Sequence, residues 1–120
     1  MRNSSTNLLS NNTVLDSNYG LWLYSSSNDN KLDDNRALDN QIGVYLKESN
    51  GNVLTDNTAL NSTVSGISVW DSAENTLINN EASNNYVSIY LQNSSEMHFP
   101  TTRHLAAITG CGLPFAVTIA

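Results

Sequence analysis

Charge is scarce in this sequence: only 13% of residues are charged, and only five are basic. Those five are scattered, which excludes the clustered Lys and Arg that nucleic acid or an anionic membrane surface requires. The net charge of −6 reads as a solvated acidic surface. Cysteine occurs once, as Cys111, so neither a disulfide framework nor a Cys-based zinc site is available. No apolar run reaches the ~20 residues of a membrane span. The longest uncharged stretch, residues 105–120, has 16 residues and is broken by Gly and Pro. No stretch of ten residues spaces its apolar positions at three and four, so an amphipathic helix is excluded too. No secretory signal is visible in "MRNSSTN".

Asparagine fills part of the gap. There are 19, all before residue 94, although Asn suits neither helices nor strand interiors. They recur with a period. "NLLSNNTVLDSNYGLWLY" and "NKLDDNRALDNQIGVYLK" share one skeleton 23 residues apart, and four copies align. Each opens on Asn7, Asn30, Asn52 or Asn75, and two positions on comes Leu9, Leu32, Leu54 or Leu77. A second Asn follows (Asn12, Asn35, Asn57, Asn80), then a smaller apolar residue (Val14, Ala37, Ala59, Ala82). The next landmark is Gly20, Gly43, Gly66 or, in the last copy, Ser88. An alternation ends each copy: Leu21/Leu23, Val44/Leu46, Ile67/Val69, Ile89/Leu91. The third copy carries one extra residue between Asn57 and Gly66.

A period of this length fits leucine-rich repeats or a β-helix. Apolar residues recur at spacing two, so the segments are short strands, and the Leu consensus is too sparse for the first alternative. The pattern predicts an all-β, single-stranded, right-handed parallel β-helix of about four coils of 22–23 residues over residues 4–94. Coils stacked about 4.8 Å apart put equivalent residues above one another and bury together what one coil leaves open. Asn suits left-handed corners and can bond amide to amide along a stack, which makes Asn12, Asn35, Asn57 and Asn80 the candidate structural ladder.

With these N-x-L, N-x-[AV] and G-[ILV]-x-[LV] elements placed, the sequence resembles the NosD-type parallel β-helix repeats. That family is also described as the carbohydrate-binding and sugar-hydrolase fold, and is frequent in large surface proteins. The resemblance implies an extracellular, cell-surface or periplasmic location, neighbouring coils in a longer parent chain, and a sugar or polysaccharide ligand. Named NosD proteins help deliver copper to a periplasmic reductase.

Several residue sets are candidates for chemistry. The post-Gly strands point Trp22, Tyr45, Ser68 and Tyr90 outward in one column and Tyr24, Lys47, Trp70 and Gln92 in the next. Exposed rings on a rigid sheet form platforms for the CH faces of sugars, which makes Trp22, Tyr24, Tyr45, Trp70 and Tyr90 the expected carbohydrate contacts. Cross-strand packing of aromatics is the competing explanation. Catalytic residues are not expected: the acids Asp16, Asp39, Asp34 and Asp56 read as solvated turn carboxylates, and no cofactor is called for. Met97, His98, His104 and Cys111 are soft or imidazole ligands of a kind copper takes, but their spacing matches no closed site, so no metal is expected. Four sequons, at Asn3, Asn11, Asn61 and Asn93, fit an exported protein in a chain rich in Asn and Ser.

Residues 95–120 break the pattern, with no Asn or Asp and both Pro, both His, both Phe and the Cys. Three readings compete for this tail: a cap, the remnant of a membrane anchor, or disordered or out-of-frame sequence. The expectation for the whole is a non-enzymatic module of an exported protein. The alternatives are a fragment of a polysaccharide lyase or hydrolase, or of a NosD-like copper-maturation protein.

Overall fold

A computed structural model of the chain describes residues 1–103, 108–111 and 117–119. Each of the first three coils contributes three strands. The first has β1 (Leu8–Ser10), β2 (Thr13–Leu15) and β3 (Tyr19–Tyr24). The second has β4 (Lys31–Asp33), β5 (Arg36–Leu38) and β6 (Ile42–Lys47), and the third β7 (Val53–Thr55), β8 (Thr58–Leu60) and β9 (Ser65–Trp70). In the fourth, one longer strand, β10 (Thr76–Ser83), pairs with both β7 and β8, and β11 (Val87–Gln92) follows. Past it run β12 (Met97–Arg103), β13 (Ile108–Cys111) and β14 (Val117–Ile119).

Every pairing is parallel, and each strand lies against its equivalent one coil away. The result is a right-handed parallel β-helix of about four coils, as the repeat predicts. The stacking continues with β12 on β10 and β13 on β11. No helix among the described residues is long and apolar enough to cross a membrane.

The core is the set of inward columns. Leu32, Leu54 and Leu77 are buried, as are Ala37, Ala59 and Ala82. Val44, Ile67 and Ile89 form a third file, and Leu23, Leu46, Val69 and Leu91 a fourth. Leu9 and Val14 of the first coil are only partly buried against them. Met97 and Phe99 extend the core beyond the fourth coil, each fully buried. At the Gly position the coils approach too closely for a side chain. A Cβ on Gly43 would stand 2.6 Å from the Gly66 carbonyl oxygen and 2.9 Å from the Ala59 Cβ. The small residue and the Ala opposite it are therefore one packing decision.

Corners combine two residues with different tasks. Asn11, Asp34, Asp56 and Asn79 take the left-handed backbone, with φ between 52° and 56°. The asparagine after each keeps an ordinary φ and turns inward. This corrects the simple account in which the laddered Asn itself supplies the left-handed turn. Asn12 Nδ2 donates to Asn35 Oδ1 (2.8 Å), Asn35 Nδ2 to Asn57 Oδ1 (2.9 Å) and Asn57 Nδ2 to Asn80 Oδ1 (2.9 Å). The backbone N–H of each donor residue reaches the same Oδ1. The file of Asn7, Asn30, Asn52 and Asn75 repeats the scheme. Two further files lie in positions the motif does not mark: Ser17/Asn40/Ser62/Asn85 and Ser27/Ser49/Ser72/Ser94. Ser62 Oγ has no partner among the described residues, but the asparagine files are hydrogen-bonded along the axis, which lets a chain with so little charge stay both polar and packed.

Candidate functional site

The strands β3, β6, β9 and β11 form one flat face whose outward columns stack in register. Trp22, Tyr45, Ser68 and Tyr90 are successive partners, as are Tyr24, Lys47, Trp70 and Gln92. All five aromatic candidates meet in one continuous array. Trp22 stacks on Tyr24 with centroids 4.1 Å apart, and lies nearly parallel to Tyr45 at 6.2 Å and 9°. Tyr45 meets Trp70 edge-on at 5.8 Å, and Trp70 meets Tyr90 at 6.0 Å. Arg2 sits over the outer ring, 5.9 Å from the Tyr24 centroid.

The array is not a row of free platforms. Tyr45, expected as an exposed contact, is only 7% exposed. Its neighbours cover it: Trp22 on one side, Trp70 on the other, and Tyr19, whose ring lies 5.4 Å away. Burial, then the nearby Tyr19, Asp71 and Glu48, push the Tyr45 hydroxyl above the usual phenol range. Trp22, Tyr24, Trp70 and Tyr90 keep part of their surface in solvent. Tyr45 is thus largely covered, while Trp22 stays half-buried beside it.

The open part of the face is on the third coil. There the wide columns narrow: Ser65 stands in register between Ile42 and Val87, and Ser68 between Tyr45 and Tyr90. Both serines are buried and their hydroxyls bond to each other, so they form a small neutral floor. Above it opens a groove of about 250 Å³. Trp70, Tyr90, Val64 and Tyr86 line it above the serines. Tyr86 is 86% exposed and Val64 44%, unusual values for side chains of their size. The Trp70 Nε1–H is shielded from solvent and has no acceptor among the described residues. Tyr19, Tyr86, Val64 and Ser65 are functional candidates that the aromatic columns alone do not reveal. One signal points to the groove wall: Val64 falls in the segment lengthened by the extra residue of the third copy.

The other candidate sets do not assemble. Asp16, Asp34, Asp39 and Asp56 are all exposed at left-handed corners, where Asp39 accepts a bond from Asn61. Met97 and His98 are consecutive on β12; Met97 is buried in the core and His98 is exposed. His104 lies outside the described residues, and the Cys111 side chain is likewise not described, although its backbone is in β13. Among the described residues no three His, Cys, Asp or Glu side chains gather as metal ligands.

Comparison with known proteins adds the lineage. The family model described as "Periplasmic copper-binding protein (NosD)" matches residues 1–101. The chain belongs to the NosD family. Its described residues do not fit a copper site of the kind the family description names, since the two candidate ligands on β12 differ in burial and no third converges on them. The fold of this NosD-family chain is also that of a solved structure, a point mutant of the periplasmic alginate epimerase AlgG, with a TM-score of 0.83 at 20% identity. The match covers 90% of the chain and 28% of the epimerase, so the chain spans less than a third of that protein's length. Comparison with curated protein sequences returned no match.

Proposed function

We propose that the chain is a non-enzymatic β-helix module of a periplasmic or otherwise exported protein, which holds carbohydrate on its aromatic face. One observation carries the reading: a continuous array of Trp and Tyr rings on a rigid parallel sheet, opening into a groove between Trp70, Tyr86 and Tyr90. Aromatic faces offer sugars what water does not, a flat apolar partner for their CH groups, while the hydroxyls stay solvated. The family's description and the epimerase's name both include the word periplasmic, which supports the location. The epimerase, an enzyme of alginate, supports a polysaccharide context.

The likeness to an epimerase more than three times longer favours one second reading, a segment of a polysaccharide-processing enzyme whose reacting groups lie on other coils. Both readings are tested on a glycan array with the chain and its Trp70→Ala variant. The module reading expects glycan binding that the variant loses, without bond cleavage. An array on which no glycan is retained by the wild type refutes it. Cleavage or epimerisation of a bound glycan by the chain itself transfers the case to the second reading.

A further inference from the structure

The groove on the third coil is built by departures from the repeat, and those departures define what it holds. In other coils the column of Ser68 carries Trp22, Tyr45 or Tyr90, and the column of Ser65 carries Tyr19, Ile42 or Val87. Two small residues side by side remove two large side chains from an otherwise filled wall. The extra residue of the same copy lies in the segment that carries Val64, and Tyr86 one coil on lines the opening together with Trp70. One coil has thus been hollowed on its outer face while its inward residues, Ile67 and Val69, stay fully buried.

Charge narrows the ligand. Among the described residues no charged side chain lines the groove. Of the ionised residues nearest this part of the face, Lys47 is in register with Trp70, and Glu48 and Asp71 lie close enough to act on the neighbouring Tyr45 hydroxyl, a balance of one negative charge. The whole chain carries −6. Among the described lining residues there is no Arg fork or Lys to grip a uronate carboxylate, and the charge of Lys47 beside Trp70 is outweighed by Glu48 and Asp71. The volume of about 250 Å³ is below the ~300 Å³ of the smallest typical ligand pockets, which fits one ring rather than two. Resting on the carbohydrate reading above, we infer that the groove between Tyr86, Trp70 and Tyr90 is a subsite for one neutral pyranose residue, bound through its CH face over the Ser65–Ser68 floor. Charged uronate residues are excluded from it.

The experiment uses the full chain with neutral oligosaccharides (gluco-, manno- and galacto-series) and oligouronates, followed by saturation-transfer NMR and calorimetric titration. Ser68→Tyr refills the groove with the residue type that stands in this column in neighbouring coils, so the variant keeps the fold, as circular dichroism would verify. Tyr86→Ala removes an exposed lining side chain, and Leu15→Ala alters an exposed apolar residue on the other sheet. The inference expects a neutral ligand, affinity lowered at least tenfold by Ser68→Tyr and about fivefold by Tyr86→Ala, and no change with Leu15→Ala. It is overturned if oligouronates bind as well as neutral sugars. It is also overturned if neutral sugars bind but both groove variants retain full affinity, in which case the carbohydrate reading itself stands. A wild type that binds no sugar of either class removes both.

Discussion

The clearest energetic consequence of the fold concerns Asn57, which is 1% exposed. Its Oδ1 accepts from the Asn35 N–H (3.0 Å) and Asn35 Nδ2 (2.9 Å), and its Nδ2 donates to the Leu32 carbonyl (2.9 Å) and Asn80 Oδ1 (2.9 Å). Asn57→Ala removes all four bonds. Asn35 Nδ2 keeps the Leu9 carbonyl and Asn80 Oδ1 keeps the Asn57 N–H, so the group newly orphaned is the Asn35 backbone N–H. An orphaned buried donor costs about 1–3 kcal/mol and each of the three other lost bonds about 0.5–1.5, for a total of roughly 2.5–7.5 kcal/mol. Against typical stabilities of about 5–15 kcal/mol, that lowers Tm by more than about 10 °C. Urea denaturation followed by circular dichroism measures it. Asn12→Ala is the control, because Asn12 is exposed and Asn35 Oδ1 keeps the backbone N–H of residue 12 when the side-chain donor is removed; its cost should stay under about 1 kcal/mol. Asn57→Asp adds a sign test. The carboxylate keeps the Asn35 donors but faces Leu32 carbonyl and Asn80 Oδ1, both acceptors, so its folded pKa rises above the unfolded one. The variant is then most stable at low pH and loses stability as pH rises through the folded pKa. Equal costs for Asn57→Ala and Asn12→Ala would refute the argument that the buried file holds the coils in register.

Other outcomes follow from the same geometry. Gly43→Ala forces a Cβ into the 2.6 Å gap to the Gly66 carbonyl oxygen, and thermal melting should show a loss of about 2–3 kcal/mol. A cost below ~0.5 kcal/mol would mean the coils separate there freely. Tyr86→Ala should leave Tm within the ~0.5 kcal/mol typical of surface changes, because the ring is 86% exposed. Tyr45 contributes stability that is fully present below the unfolded phenol pKa and is lost as pH rises through its raised folded pKa. Tyr45→Phe should therefore flatten the alkaline decline in stability, measured by denaturation across the phenol range; an unchanged decline would assign it to other tyrosines.

The fold could be read from the sequence because each inward residue meets its own equivalent one coil away. Leu32, Leu54 and Leu77 need only be apolar and in phase, and phase is visible in a string of letters. The face was less legible. Columns state which rings are neighbours but not how they tilt, and tilt decides exposure: Trp22 and Trp70 close over Tyr45 from either side, while Tyr86, outside the aromatic columns, stands clear. The serine files were hidden for another reason. Ser27, Ser49, Ser72 and Ser94 recur as faithfully as the asparagines, but serine is frequent enough elsewhere in the chain to mask the period. The groove sits where periodicity fails, at Ser68 and the insertion near Val64, so a search for repetition passes over it.

The asparagine files also have a direction. In both, the amide of the earlier coil gives its hydrogens to the oxygen of the later one, from Asn7 through Asn75 and from Asn12 through Asn80. The stack is therefore a vector. An inverted turn would present oxygen to oxygen, so added turns can join only head to tail, and lengthening the rod leaves its binding face pointing the same way.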